Sequence, residues 1–161
     1  TRLNSRRMDD RELCLIYVAF KLTTYDKYQP PMYNFLDIGM EEIGKIDDAR
    51  RISLKNEFIE GLKTVEILLG ENAFAKGVFE VTSKRQKVNK AIFECLITCI
   101  CNLTPDQRTV LIARKTTFVD GYKEVLIDKS FIDSITLHTS DAKSINARFK
   151  LVISLLDKVL Q

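Results

Sequence analysis

Apolar side chains fill eight consecutive positions, residues 13–20, near the start of this chain. They directly follow a cluster of alternating charge at residues 7–12. A helix that buries only one face keeps about half of its positions polar, so an unbroken apolar run indicates a helix that is covered on all sides. The pattern therefore predicts a first helix at about 9–23, buried all round and capped by the Asp9 carboxylate.

A second run of this kind, residues 91–101, is almost wholly apolar and predicts another central helix at about 87–102. Elsewhere the apolar positions are spaced three or four residues apart, which places them on one face of a helix. The last helix has a regular stripe of this type, formed by Ile145, Phe149, Val152, Leu156 and Val159.

Caps and turn formers set the predicted ends of the other helices. Thr104 to Gln107 has the pattern of a capping box, and its helix is expected to continue past a kink at Gly121 to about residue 127. Residues 71–86 lack periodicity and predict a loop-rich stretch. The chain is thus predicted to be all-α, a single domain over residues 1–161 and a bundle of about seven helices: 9–23, 31–46, 49–69, 87–102, 105–127, 130–137 and a last helix capped by Thr139 or Ser140.

The composition agrees with long helices and short connections. The 161 residues include only six glycines, three prolines and no tryptophan, and a chain of this length forms one domain with a sizeable core. The four cysteines lie inside apolar runs, which is typical of a reduced, cytoplasmic protein. No apolar run approaches the roughly 18 residues that a membrane span needs. The chain starts at Thr1 within an arginine-rich stretch, from which we expect a piece of a longer protein.

No set of residues in the sequence predicts a catalytic centre, a metal site or a cofactor. Cys95 and Cys99 are one helical turn apart and can approach one metal ion, but a tetrahedral zinc site needs four ligands and usually draws them from loops. His138 is the only histidine and would have to be the third ligand. Core packing of the cysteines and a solvated or helix-capping histidine are the simpler interpretations.

The clearest charged feature is a basic cluster formed by Lys84, Arg85, Lys87 and Lys90. Residues 1–80 carry a net charge of −2 and residues 81–161 one of +5, so the cluster lies in the basic half. Positive charge at the start of a helix opposes the helix dipole. Its presence suggests a bound anion, either nucleic-acid phosphate or an acidic partner surface. A solvated loop is the simpler alternative.

Glu94 and Arg148 are charged residues inside apolar patterns. Glu94 lies between Phe93 and Cys95, and Arg148 precedes the inward Phe149 at the edge of the last helix's stripe. We predict that the two side chains form an ion pair across two helices. The alternative is that both extend along the apolar surface to solvent.

Several short phrases, taken together, resemble the helical region of the prokaryotic family whose N-terminal half is a GmrSD-type, ParB-like domain. They keep the family's order over nearly the whole chain and are Arg7-Met8-x-Asp10-Arg11-Glu12, Phe35-Leu36, Phe58-x-x-Gly61, Asn72-x-Phe74-x-Lys76, Asn89 to Glu94, Phe131 to Thr139, and Ile145-x-x-Arg148-Phe149. The charged opening and the phrase that ends at Glu94 are the most specific. Where family members often have arginine in the first apolar helix, this chain has Ile16.

The resemblance implies a bacterial or archaeal cytoplasmic protein linked to restriction of foreign DNA and to phage defence. In that family the nuclease chemistry belongs to the N-terminal domain, around an Asp-Gly-Gln-Gln-Arg motif, whereas the only Asp-Gly here is Asp120-Gly121, followed by Tyr122. We therefore expect a non-catalytic helical scaffold that contacts DNA or a partner, with an upstream ParB-like domain in the same protein. Its expected junction with that domain consists of Arg6, Arg7, Asp10 and Glu12.

The alternative is a protein–protein interaction or dimerisation domain with no nucleic-acid contact. In that case the heptad-like stripe of the last helix is the expected contact face of a homodimer. Neither interpretation involves a cofactor or a membrane.

Overall fold

Helices make up most of the described chain and no strand occurs in it, which confirms the all-α prediction. The computed structural model describes residues 9–80 and 86–161. Their buried apolar side chains form one continuous core, and none of the helices in these ranges is long and apolar enough to cross a membrane. A short 3-10 helix (Tyr25–Lys27) accompanies the α-helices α1 (Asp9–Thr23), α2 (Met32–Lys45), α3 (Asp48–Leu69), α4 (Lys90–Cys101), α5 (Pro105–Ala113), α6 (Lys115–Ile127), α7 (Lys129–Thr136) and α8 (Ala142–Leu160).

The helix α4 lies at the centre of the core. Every residue from Ala91 to Cys101 is buried, because α1, α3, α7 and α8 surround the helix. The second central element is α8, which packs against α4, α5, α6 and α7. Its predicted stripe is confirmed, since the buried residues include Ile145, Phe149, Val152, Leu156 and Val159.

The first helix, α1, is less enclosed than its apolar run predicts. It packs between α2 and α4 and buries Leu13, Ile16, Tyr17, Ala19 and Phe20. Cys14 is exposed, so the prediction that this helix is buried all round is wrong. The reason is that its main neighbours lie on two sides and leave the rest of its surface uncovered. Asp9 is itself helical, so the capping position of α1 lies outside the described residues.

Asn89 determines where α4 begins. Its side chain accepts a hydrogen bond from the backbone N–H of Ile92 (3.0 Å) and donates one to the carbonyl of Ile135 in α7 (3.1 Å). This N-cap ends the preceding loop and joins it to a neighbouring helix. The helix therefore starts at Lys90 and not near residue 87.

The predicted long helix after Thr104 is in fact two helices. Its capping box is present, but the helix breaks at Arg114, so the described chain contains eight α-helices instead of seven. Arg114 Nη1 donates to the carbonyl of Val159 in α8 (2.6 Å), a contact that the sequence pattern does not reveal. Gly121 lies inside α6 and does not end it; a Cβ there would lie 2.5 Å from Leu155 Cδ1, so the glycine makes room for α8.

The connection between α7 and α8 is held by side chains from other parts of the chain. Asp141, without a side-chain capping bond, occupies the N-cap position of α8, so the predicted cap at Thr139 or Ser140 is wrong. The backbone carbonyls of these two residues bind other side chains. The Ser140 carbonyl accepts a hydrogen bond from the Tyr28 hydroxyl (2.6 Å), and the Thr139 carbonyl accepts one from Arg148 (2.8 Å).

Residues 71–80 form successive turns that cover one end of α4. Ala73, Phe74 and Ala75 are buried, and the Phe74 ring packs edge-on against Phe93 with the centroids 4.9 Å apart. The backbone N–H of Asn89 donates to the Phe74 carbonyl (2.8 Å). These contacts attach the turns to the start of the central helix.

The surroundings of two glycines in α2 predict opposite effects of a substitution by alanine. A Cβ at Gly39 would lie 2.6 Å from Ala19 Cβ and 2.7 Å from Ala19 Cα, whereas nothing lies within 4 Å of a Cβ at Gly44. We expect Gly39→Ala to lower the free energy of unfolding by about 1–3 kcal/mol, because α1 and α2 must separate. Gly44→Ala should raise it by about 0.5–1 kcal/mol through helix propensity. Urea unfolding measures both, and equal effects would contradict the close packing of α1 on α2.

Candidate functional site

Glu94 of α4 and Arg148 of α8 form the ion pair that the sequence predicts. Glu94 is 2% exposed and Arg148 is 1% exposed. Arg148 Nε donates to Glu94 Oε1 (2.7 Å), and Nη2 donates to the same oxygen. The alternative, in which both side chains reach solvent, is therefore wrong.

Arg148 also binds the end of α7 and the connection that follows it. Nη1 donates to the carbonyl of Ser134 (2.8 Å) and Nη2 to that of Thr139 (2.8 Å). Burial raises the pKa of Glu94 to about 7, although the charge and hydrogen bonds of Arg148 favour the ionised carboxylate. The two side chains are bonded to each other and to backbone groups, so their role is structural.

The described members of the predicted basic cluster and of the predicted junction include one ion pair. Lys90 Nζ lies 2.5 Å from Glu12 Oε2, which joins the first turn of α4 to the first turn of α1. Lys87, just before α4, and Asp10, in α1, are exposed. We call the surface formed by Asp10, Glu12, Lys87 and Lys90 the α1–α4 corner.

Only part of each predicted set can be placed. Lys84 and Arg85 of the basic cluster, and Arg6 and Arg7 of the junction, lie outside the described residues. The two sets are predicted as separate surfaces, but Lys90 and Glu12 are paired with each other. Neither is therefore a free charge.

The cysteines of α4 do not converge on a metal ion. Cys95 Sγ donates to the carbonyl of Ile92 (3.4 Å), and Cys101 Sγ donates to that of Glu57 (3.4 Å). Burial raises the pKa of Cys95 to about 12 and that of Cys101 to about 11, so both thiols are protonated at neutral pH. In the two described ranges, no group of three or more His, Cys, Asp or Glu side chains could hold a metal ion. His138 is exposed on the α7–α8 connection.

A cleft between the C-terminal end of α1, α4 and α8 is a candidate site that the sequence does not reveal. Its volume is about 410 Å³, which falls within the range of small-molecule sites. The walls are largely apolar and include Phe20, Cys99, Leu103, Phe149, Ile153 and Leu156. The Tyr25 ring, also in the wall, stacks on Phe149 with the centroids 4.7 Å apart and 9° between the planes. The cleft therefore has an apolar interior with an aromatic side.

Lys21 lines this cleft, and Glu57 balances part of its charge. Its Nζ donates to Asn102 Oδ1 (2.6 Å) and to the carbonyl of Cys101 (3.0 Å), and it lies 3.0 Å from Glu57 Oε2. Burial alone would raise the pKa of Glu57, but hydrogen bonds from Arg50, Lys21 and Ser53 outweigh it and lower that pKa. Lys21 therefore has three acceptors around it, one of which, Glu57, also pairs with Arg50.

Two exposed carboxylates, Asp26 and Asp157, also line the cleft. Neither forms an ion pair with a lysine or arginine of the described chain. Thr24, beside Asp26, has φ 70° and ψ 152°, a backbone region that a β-branched residue rarely adopts. The Thr24 hydroxyl donates to the Asp26 carboxylate, and this hydrogen bond lowers the pKa of Asp26.

The cleft brings together three segments that are distant in the sequence, at 20–26, 98–103 and 149–157. Each segment contains residues that are ordinary for a helix or a turn, so no spacing rule connects them. The polar, tyrosine-containing stretch after α1 is the only local sign of it. A cleft of this kind becomes visible only once α8 is packed against α1 and α4.

Replacing Glu94 by alanine tests the ion pair. It leaves the Arg148 guanidinium buried without its charge partner, so we expect the free energy of unfolding to fall by about 3–5 kcal/mol. Glu124→Ala, at an exposed position of α6, is the matched control and should change it by less than about 0.5 kcal/mol. Urea unfolding at about pH 8, above the pKa of Glu94, measures both. Equal unfolding midpoints for the two variants would show that the pair contributes nothing.

A double variant, Glu94→Leu with Arg148→Met, distinguishes the effect of a buried charge without its partner from the effect of lost packing. Both charges are then replaced by apolar groups of similar size, so much of the loss caused by Glu94→Ala should be recovered. The recovery should be incomplete, because the carbonyls of Ser134 and Thr139 lose their donor.

The four thiols are expected to differ in reactivity. Cys14 is exposed and the other three are buried. Burial and the nearby Asp10 raise the pKa of Cys14, which slows its reaction without blocking access. A chromogenic aromatic disulfide at about pH 8 should titrate one thiol in the native protein and all four in guanidinium chloride, and Cys14→Ser should leave none in the native protein. Rapid labelling of a second native thiol would contradict the burial of α4.

No protein-family model, no curated protein and no solved structure matches this chain. The resemblance to the helical region of the GmrSD-type family therefore stays a prediction.

Proposed function

We propose that this chain is a non-catalytic helical scaffold of a prokaryotic restriction or phage-defence protein, and that it contacts DNA or an acidic partner surface through the α1–α4 corner. The nuclease chemistry then belongs to an upstream ParB-like domain, whose junction lies at the same corner. The observation that carries the proposal is the 2.5 Å contact between Lys90 and Glu12. It joins one member of the predicted basic cluster to one member of the predicted junction.

The exposure of this ion pair supports a role in contacts. The Lys90 side chain is 46% exposed and that of Glu12 is 41% exposed. Ion pairs at such positions contribute only about 0–1 kcal/mol to stability. A phosphate or a partner carboxylate can therefore replace Glu12 at Lys90 at small cost to the fold.

The interior supports a structural role for the rest of the domain. The charged groups of the core, Glu94 and Arg148, are bonded to each other, and the thiols of Cys95 and Cys101 are held in the protonated form by burial. All four cysteines are free, which agrees with the cytoplasmic location that the family resemblance implies.

The alternative function is protein–protein interaction or dimerisation without nucleic-acid contact. The stripe of α8 cannot be the contact face, because its residues are buried within the chain; that part of the prediction is wrong. The outer surface of α2 is the better candidate. It exposes Tyr33 (67%) and Met40 (57%), which lie seven residues apart and therefore on one helix face.

The proposed function predicts salt-dependent binding of double-stranded DNA. Fluorescence anisotropy with a labelled duplex, at about 50 and 200 mM salt, measures it. Changing Lys84, Arg85, Lys87 and Lys90 to glutamine should weaken binding about tenfold or more and reduce the salt slope by about 0.9 per lost phosphate contact. The matched control changes Lys55, Lys129, Lys143 and Lys150, four exposed cations elsewhere, and removes the same charge.

Binding that falls only in the first variant supports the α1–α4 corner as the contact surface. Equal, negligible binding by wild type and both variants would end the nucleic-acid proposal. Light scattering over a concentration series then tests the alternative function, which predicts a mass that rises to that of a dimer.

A further inference from the structure

The cleft and the α1–α4 corner lie at opposite ends of one helix. The helix α1 has 15 residues and is therefore about 21 Å long. The corner is at its first turn, and the cleft begins at Phe20 near its end. A ligand of the cleft would occupy a second site, and its binding does not depend on the function proposed for the corner.

Thr98 gives the wall of the cleft a hydrogen-bonding group that no other described residue uses. The residue lines the cleft and is 3% exposed, and its Oγ1 has no hydrogen-bond partner in the described chain. A buried hydroxyl without a partner is unfavourable, so such groups are nearly always bonded. A ligand with a hydroxyl or carbonyl group can supply the missing bond.

The charges around the cleft favour a cation. Asp26 and Asp157 are carboxylates without an ion-pair partner in the described residues. Lys21 and Arg50 share the single carboxylate of Glu57, so this group carries one net positive charge against the two negative charges of Asp26 and Asp157. A protonated amine at the exposed edge of the cleft would be attracted by both aspartates, and ammonium groups also interact favourably with aromatic rings such as Tyr25.

The apolar interior of the cleft favours a ligand with an aromatic ring. Phe20 and Phe149 pack against each other in the wall, with their centroids 5.1 Å apart, and each is only 1% exposed. A ligand ring therefore meets mainly the half-buried Tyr25, Leu103 and Ile153 of the wall, and Tyr25 can pack on it in an offset or tilted geometry. The strained backbone of Thr24 lies beside these rings, and strain of this kind is concentrated at ligand-binding sites.

We propose that the cleft binds a small arylalkylamine that carries a hydroxyl group. The aromatic ring lies against Tyr25, Leu103 and Ile153, the hydroxyl bonds to Thr98 Oγ1, and the protonated amine lies beside Asp26 and Asp157.

Three probes separate the parts of this ligand. Isothermal titration calorimetry at about pH 7 with tyramine, phenethylamine and 4-ethylphenol compares the complete ligand with one that lacks the hydroxyl and one that lacks the amine. Tyramine should bind one molecule per chain, and each of the others should bind about fivefold more weakly. Only the two amines should weaken as the salt concentration rises.

Two substitutions assign the contacts. Thr98→Val keeps the shape of the side chain and removes the hydroxyl; it should weaken tyramine about fivefold and leave phenethylamine unchanged. Its Tm should be equal to or above that of wild type, because the unpartnered hydroxyl is gone. Asp157→Asn should weaken both amines about fivefold and leave 4-ethylphenol unchanged. Asp133→Asn, at an exposed position of α7, is the matched control and should change none of the three.

The expected pattern supports the proposed ligand class. The absence of saturable binding of all three probes to the wild-type protein would overturn the proposal without any variant. Equal effects of Asp157→Asn and Asp133→Asn, or unchanged tyramine binding in a folded Thr98→Val, would overturn it as well.

Discussion

The arrangement of α7 and α8 on the central helix depends on one buried guanidinium. Arg148 has five N–H donors, and it directs them to the Glu94 carboxylate and to the carbonyls of Ser134 and Thr139. Removing two charges from water is costly, and a well-packed apolar pair is often no less stable. The ion pair therefore contributes by fixing the position of α7, because only one placement of this helix satisfies all of these hydrogen-bonding groups. The N-cap Asn89 donates to the next carbonyl, that of Ile135, and so holds the same helix.

Features that depend on neighbouring residues could be predicted from the sequence. The unbroken run at 91–101 corresponds to the fully surrounded α4, and the capping box at Thr104 forms as its residue types require. The pairing of Glu94 with Arg148 was also predictable, because each is a charge in an otherwise apolar pattern and needs a partner. Features that depend on distant contacts were not. The break at Arg114 accompanies a hydrogen bond to Val159, and the exposure of Cys14 depends on which sides of α1 its neighbours cover.

The candidate sites also depend on contacts between residues that are distant in the sequence. Composition and charge could single out Lys90 and Glu12 as members of two sets, but their contact follows from the placement of α1 against α4. The cleft is harder still to predict from the sequence. Thr98 belongs to α4, in which every residue from Ala91 to Cys101 is buried. In the sequence, a threonine at that position cannot be distinguished from any other core residue. Only the absence of a partner for its hydroxyl distinguishes it.

The close approach of α2 to α1 has a consequence for the wall of the cleft. The main packing partner of α2 is α1, with Gly39 against Ala19 and Phe35 against Phe20, whose centroids are 4.8 Å apart. No residue of α2 lines the cleft, whereas Phe20, the partner of Phe35, belongs to its wall. A substitution in α2 that displaces Phe35 or α1 is therefore transmitted to the cleft through Phe20, a residue that α2 holds in place without itself forming part of the site.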